Sequence, residues 1–219
     1  MNNEIIIIDG EKQHILLDSS TIDGLTIEFC GENNRVIIEA PFKFFNSLIN
    51  FSGNHSHIEI LKPKYIQGLR ISCTESWSKL LWKEGGISYG INIFLHEHKS
   101  TVLIGRDCLF ASGIDIWPTD GHSIFDINSN ELINEMKSPV VIGDYVWIGY
   151  RVLITKKTYI PNGSVVAAGS VVTRAFYDEN IVIAGNPAKI IKRDVLWNHL
   201  SPNEYLRVNR ANDDFHFDF

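Results

Sequence analysis

The sharpest candidate for acid–base chemistry in this chain is His122, in Thr119-Asp120-Gly121-His122-Ser123. A neutral imidazole, with an ordinary pKa of about 6.5, can take the proton of an attacking hydroxyl near neutral pH. A lone loop histidine is usually solvated and idle, so its surroundings must supply the case. Asp120 and Asp115 could orient the ring or contact an acceptor. Trp147 stands immediately before an aliphatic residue of a repeat, so its indole should point outward, and an exposed indole asks for a partner. Packing at a subunit contact is the bland alternative. No Ser-His-Asp constellation or cysteine nucleophile motif is present. That favours direct reaction between two bound substrates over a covalent enzyme intermediate.

What must position these residues is a six-residue period. Ile142, Ile148, Ile154, Ile160, Val166 and Val172 recur at that interval, which fits neither a helix nor a two-faced strand. Gly143, Gly149, Thr155, Pro161, Ala167 and Thr173 follow them, and Val146, Val152, Thr158, Ser164 and Ser170 sit four places on. A chain that turns a corner at every repeat needs one bulky apolar side chain inward per strand and bend-tolerant residues between. Three such strands close one triangular coil, and stacked coils bury a continuous aliphatic column. The phase breaks between Ile116 and Ile142, so residues 119–138 must leave the coil and return. Such excursions tend to be functional or disordered. A shorter slip, with Ala175 to Asn180 bulging outward, lies between Val172 and Ile183.

The pattern predicts an all-β chain with a parallel β-helix body over residues 1–190. Coils over 1–100 are expected to be irregular, and regular repeats to run over 101–190. Ile5 to Ile8 should form a first strand, pairing with Ile15-Leu16-Leu17 across Asp9-Gly10. Residues 191–219 read as a helical cap and tail. Val195, Leu196 and Leu200 suggest a helical turn closing the stack, and Ser201-Pro202-Asn203-Glu204 is a capping box with proline at the first helical position. The tail Asp213 to Phe219 carries no readable role.

Composition sets bounds. With 219 residues the chain can bury one sizeable core, and its net charge of -6 argues against a general nucleic-acid or membrane-surface binder. Cys30, Cys73 and Cys108 are scattered, without a CxxC pair, and Cys108 falls in a small-residue slot of the repeat. No membrane span or signal peptide is indicated, so a cytoplasmic location is the default expectation.

The hexapeptide register, with the expelled histidine and the segments Ala167-Ala168-Gly169-Ser170-Val171-Val172-Thr173-Arg174 and Ala184-Gly185-Asn186-Pro187-Ala188-Lys189, resembles the left-handed parallel β-helix acetyltransferases. Within them it is similar to bacterial capsule and polysialic acid O-acetyltransferases, most clearly over residues 90–197. The left hand of the coil comes from this resemblance, as does the acetyl-CoA cosubstrate with no metal. The resemblance implies His122 as general base and Trp147 beside the thioester. It implies coenzyme contacts from Trp147, Gly149, Ala168, Thr173, Arg174, Pro187, Lys189 and Lys192, with Arg193 adding a cation for the phosphates. Asn92 is the implied acceptor contact, and Asp120, from its place beside His122, is a candidate for the same role. The implied activity is O-acetylation of a surface-carbohydrate hydroxyl by a homotrimer whose sites lie between subunits. Acetylation of a small amino sugar, sugar nucleotide or antibiotic is the alternative. A zinc enzyme of the carbonic-anhydrase type would need three histidines; His96 and His98 could share a face, but no third lies at a plausible offset. A non-catalytic scaffold is the remaining alternative, and coenzyme A binding separates it from the enzyme.

Overall fold

A computed structural model describes residues 2–10, 14–16, 21–22, 24–135 and 139–209. Among these the chain is a three-sided parallel β-helix, each side an eight-stranded sheet of seven parallel strands and one antiparallel edge strand. In chain order the sides are called I, II and III. Face I stacks Glu4–Ile8, Arg35–Glu39, His57–Leu61, Lys79–Trp82, Thr101–Ile104, Val140–Ile142 and Tyr159–Ile160. Face II begins at Phe44–Phe45 and climbs through Leu109–Phe110, Trp147–Ile148 and Val165–Val166 to Val182–Gly185. Face III runs from Leu25–Phe29 through Ile91–Leu95 and Ile114–Trp117 to Val171–Val172.

The six phased aliphatics all point inward and are fully buried, as are the small slots Val146, Val152, Thr158, Ser164 and Ser170. Each buried aliphatic contributes about 1.5–3 kcal/mol relative to exposure. Gly149 is required at its corner: a Cβ there would stand 2.7 Å from the Ala168 nitrogen and 2.8 Å from the Val166 oxygen.

The early coils are not irregular. Ile38, Ile60, Trp82 and Ile104 follow one another in register on face I, and Ile49, Ile71 and Ile93 on face III, at one constant step that is longer than the step of the upper coils. The added length lies in one connection. The chain from Ile71 on face III to Trp82 on face I is nearly twice as long as the one from Ile154 to Ile160, which joins the same two faces higher up. The lower coils therefore bulge at the III–I corner, and larger side chains fill them, with Phe44, Phe51, Trp82 and Phe110 all buried.

Both ends are closed by chain reversal, which blunts exposed sheet edges. Ile6, Ile7 and Ile8 pair antiparallel with Leu16, Ile15 and His14, while Leu17 lies outside the described residues. At the other end Val182–Gly185 folds back on Ala188–Lys192. Of the segment expected to bulge, Phe176 instead turns inward, its N–H bonded to the Tyr159 carbonyl at 2.9 Å, and Tyr177 to Glu179 face outward. No helical turn forms over Val195 to Leu200, which run as an irregular strap that bends at His199 and Leu200. The capping box does start a helix, α1, at Pro202–Asn209, with Ser201 Oγ 2.7 Å from Glu204 Oε2, but α1 buries no residue and covers no coil. The tail Asp213 to Phe219 lies outside the described residues.

Candidate active site

The excursion leaves after Ile114–Trp117, at the III–I corner, and forms a small hairpin arm. Phe125 bridges Leu132, and the Asp126 side chain accepts the Asn128 and Ser129 N–H groups at 2.9 Å each. Those bonds hold the Asp126 carboxyl below its ordinary pKa. The arm is less polar in effect than its composition suggests. Ile124, Phe125, Ile127, Leu132 and Ile133 are all exposed on it, Ile127 to 94%.

Three polar ties fix the base of the arm. Thr119 Oγ1 donates to the Glu97 carboxylate on the coil below and accepts the Gly121 N–H at 3.0 Å. Lys156, from the coil above, donates to Asp120 Oδ2 and, at 2.7 Å, to the Asn134 carbonyl. Asn134 Nδ2 then donates to Asp120 Oδ2 at 2.8 Å and to the His122 carbonyl at 2.7 Å. Partial burial by itself would raise the Asp120 pKa; the Lys156 and Asn134 bonds, with the Lys156 and Lys157 charges, outweigh it and hold the carboxyl low. Lys156 and Asn134 escaped sequence reasoning because their partners are side chains far away in sequence. The only signal was a Lys-Lys pair at a repeat corner.

His122 lines a pocket of about 180 Å³ together with Glu97, His98, Thr119, Asp120, Ser123, Leu132, Asn134, Glu135 and Lys156. Its side chain is exposed, and its ring makes no hydrogen bond with the described residues. Asp120 belongs to this pocket but is occupied in anchoring the arm. Asn92 lies outside it, on face III, with its Nδ2 2.8 Å from Asp115 Oδ1. Next to that pair, Phe94 stacks on Trp117 with centroids 4.1 Å apart. His96 lies edge-on to both rings, its Nε2 2.9 Å from Ser72 Oγ, and partial burial lowers its pKa. His98 is elsewhere, on the pocket wall. Among the described residues no group of three or more His, Cys, Asp or Glu could hold a metal ion.

The remaining predicted residues form a second strip. Trp147 is outward on face II, 39% exposed, and Gly149 and Ala168 mark the adjoining II–III corner. Pro187 sits in the turn at the top of face II, with Lys189 and Lys192 exposed on the returning strand. Arg193 is engaged with Asp178 at 3.0 Å. Thr173 and Arg174 belong instead to the III–I corner above the arm, Arg174 lying 5.1 Å over the Phe176 ring. The strap descends the I–II corner, where Trp197 donates to the Tyr145 carbonyl at 2.8 Å, stacks on the Tyr145 ring and tilts against Trp147 at 6.1 Å. His199 follows beside it, its pKa lowered by partial burial and by Lys64. Cys73 and Cys108 are buried thiols, pushed up to about 12 by burial, and so are poor nucleophiles.

In a triangular prism the III–I corner is the vertex opposite face II. One chain therefore presents His122 and Trp147 on opposite sides of its body.

No protein-family model matches the chain. It is 32% identical over 189 residues to the polysialic acid O-acetyltransferase of Neisseria meningitidis, covering 86% of each chain. It is 33% identical over 160 residues to the polysialic acid O-acetyltransferase of Escherichia coli O1:K1, covering 73% of this chain but 50% of that one. Among solved structures, the polySia-specific acetyltransferase NeuO superposes with a TM-score of 0.73 at 27% identity, over 96% of this chain and 92% of that one. The coil, the expelled histidine and these relatives together define the class: the chain belongs to the hexapeptide-repeat acetyltransferases. It spans half the length of the E. coli relative. Among the described residues no helix is long and apolar enough to cross a membrane.

Proposed function

We propose that this protein transfers an acetyl group from acetyl-coenzyme A to a hydroxyl of a surface carbohydrate, and that it does so as a homotrimer. The observation that carries this reading is His122 on a pocket wall with its ring unclaimed, in a family of acetyltransferases whose similar members act on polysialic acid. The His122 imidazole accepts the acceptor's hydroxyl proton as that oxygen attacks the thioester carbonyl. The tetrahedral oxyanion collapses, the C–S bond breaks, and the imidazolium returns the proton to the departing thiolate.

The donor fits the second strip. Gly149 and Ala168 leave room for pantetheine along the coil, Trp147 supplies an apolar wall, and Lys189 and Lys192 offer charge to phosphates. Because that strip and His122 lie on opposite sides of one chain, the complete site needs the strip of a neighbouring copy. The apolar arm supports this reading: five exposed large side chains on one hairpin are the composition of a contact surface. In the trimer each arm would reach across to the next prism.

The test is transfer of labelled acetate from acetyl-CoA to polysaccharide acceptors by wild type and His122→Ala. Transfer should fall by about 10²–10⁴ with coenzyme binding retained. A rate within about tenfold of wild type would remove His122 from the base role.

A further inference from the structure

The III–I corner of the lower coils carries a feature that the transfer reaction does not use. Asn33, His55, Trp77 and Lys99 occupy equivalent positions in successive coils, with φ of 58°, 58°, 65° and 63°. The His55, Trp77 and Lys99 N–H groups bond to the coil beneath in the same way, to the Glu32, Asn54 and Ser76 carbonyls. Left-handed backbone suits asparagine and is costly for a bulky residue. Yet the third position holds an indole, 47% exposed. It stacks face to face on the His55 ring, with centroids 4.5 Å apart and planes 11° apart, and it fills no core. The fold alone would be served as well by the asparagine of the first position.

This column leads to the transfer pocket. The next coil pairs Asn92 with Asp115 and Ile93 with Ile116, and beyond that strand its next left-handed residue is Gly121, with φ of 75°, immediately before His122, where the chain leaves as the arm. Neighbouring coils are spaced by the strand separation of about 4.8 Å, so Trp77 lies about 10 Å below the level of the arm, roughly the span of two linked pyranoses. The long III–I connections of the lower coils form the ledge that carries it.

We propose that Trp77, backed by His55, is a distal acceptor subsite. Its indole packs against the apolar face of a sugar about two units along the chain from the one whose hydroxyl meets His122, so the enzyme favours chains over single sugars. This rests on the carbohydrate reading above and adds a length preference to it. An aromatic face of this kind contributes through burial of a pyranose's C–H surface, and the rigid two-ring stack limits the entropy lost on binding.

The experiment uses the surface polysaccharide purified from the producing organism, stripped of O-acetyl groups by mild base. It is offered as mono- and disaccharide fragments and as long fragments. Wild type, Trp77→Asn and Trp77→Phe are assayed with labelled acetyl-CoA, and their thermal stability and mass in solution are recorded. The expected result is that Trp77→Asn is at least as stable as wild type and loses about tenfold in kcat/KM on long fragments. Its rate on the shortest fragments should be unchanged, and Trp77→Phe should recover most of the loss. Equal rates for Trp77→Asn and wild type at every length would overturn the subsite and leave the transferase reading intact. A changed mass in solution would make Trp77 a subunit contact and likewise overturn it. If wild type acetylates no fragment of any length, the carbohydrate reading itself fails, and the subsite with it.

Discussion

The lower coils and the upper coils solve the same packing problem with different periods. In the upper half the short step brings Val165 over Trp147 and Val171 over Leu153, and Ile or Val fills each inward repeat position, with Phe176 closing the top. In the lower half the longer step widens one corner, and the space is filled by Phe44, Phe51 and above all Trp82, which meets Phe110 edge-on at 5.1 Å. Gly86 makes room for that indole, since a Cβ there would lie 2.4 Å from the Trp82 Nε1. The halves differ in what they offer outward as well. The narrow half presents small residues, Gly149 and Ala168, at its II–III corner beside the exposed Trp147, and the wide half presents a ledge at the III–I corner on which Trp77 stacks on His55. The arm that carries His122 rises where the two regimes meet.

Mutations can break this comparison, beginning with the core. Trp82→Ala should destabilise the protein by about 3–5 kcal/mol, because the wide coil cannot collapse around the void. Chemical denaturation followed by circular dichroism measures it, and a loss below about 1 kcal/mol would mean that the wide coil is loosely filled. Next in size is Trp147→Ala, which should weaken coenzyme binding, turnover or both; unchanged kinetics would reduce Trp147 to a packing partner of Trp197. Lys156→Met should lower turnover roughly tenfold with little change in global stability, since it frees the base of the arm from Asp120 and Asn134. Amide exchange over the arm should rise in that variant, and unchanged exchange would show that the tie is dispensable.

The same tie gives a pH dependence. The Asp120 carboxyl is held below its ordinary pKa by the folded arm, so its contribution is complete above the ordinary carboxylate range and is lost as pH falls through the lowered value. Protection of the arm amides, taken relative to their intrinsic exchange rate at each pH, should therefore be flat from neutrality down to about pH 4 and fall below it. The smallest expected effect is in the narrow half, where Ile160→Val should cost about 0.5–1.5 kcal/mol.

The narrow half was legible because its inward residue, its corner residue and its small slot recur together at every turn of the repeat. The lower coils hid theirs. With one side of each coil joined by a long connection, positions such as Ile60, Trp82 and Ile104 share no short period and differ in residue type. The arm was visible as a break in phase and His122 as its most reactive member, but the hairpin between Phe125 and Leu132 was not. Its apolar residues are scattered among polar ones and find no core within the chain. The spacing of Val195, Leu196 and Leu200 is that of a helical turn. In the structure Trp197 instead hydrogen-bonds and stacks on Tyr145, a partner no local pattern reveals.

The central claim is that a working site joins the corner of one prism to the opposite-facing strip of another. Complementation between two inactive variants tests it most directly. His122→Ala removes the base, and Ala168→Trp, at an exposed position, obstructs the strip; each alone should be nearly inactive. Co-expressed in equal amounts, they should assemble mixed trimers in which roughly a quarter of the sites pair an intact His122 with an intact strip, and activity should return to about that fraction of wild type. If mixed trimers form and no activity returns, base and donor strip must come from the same chain, and the shared-site account is wrong.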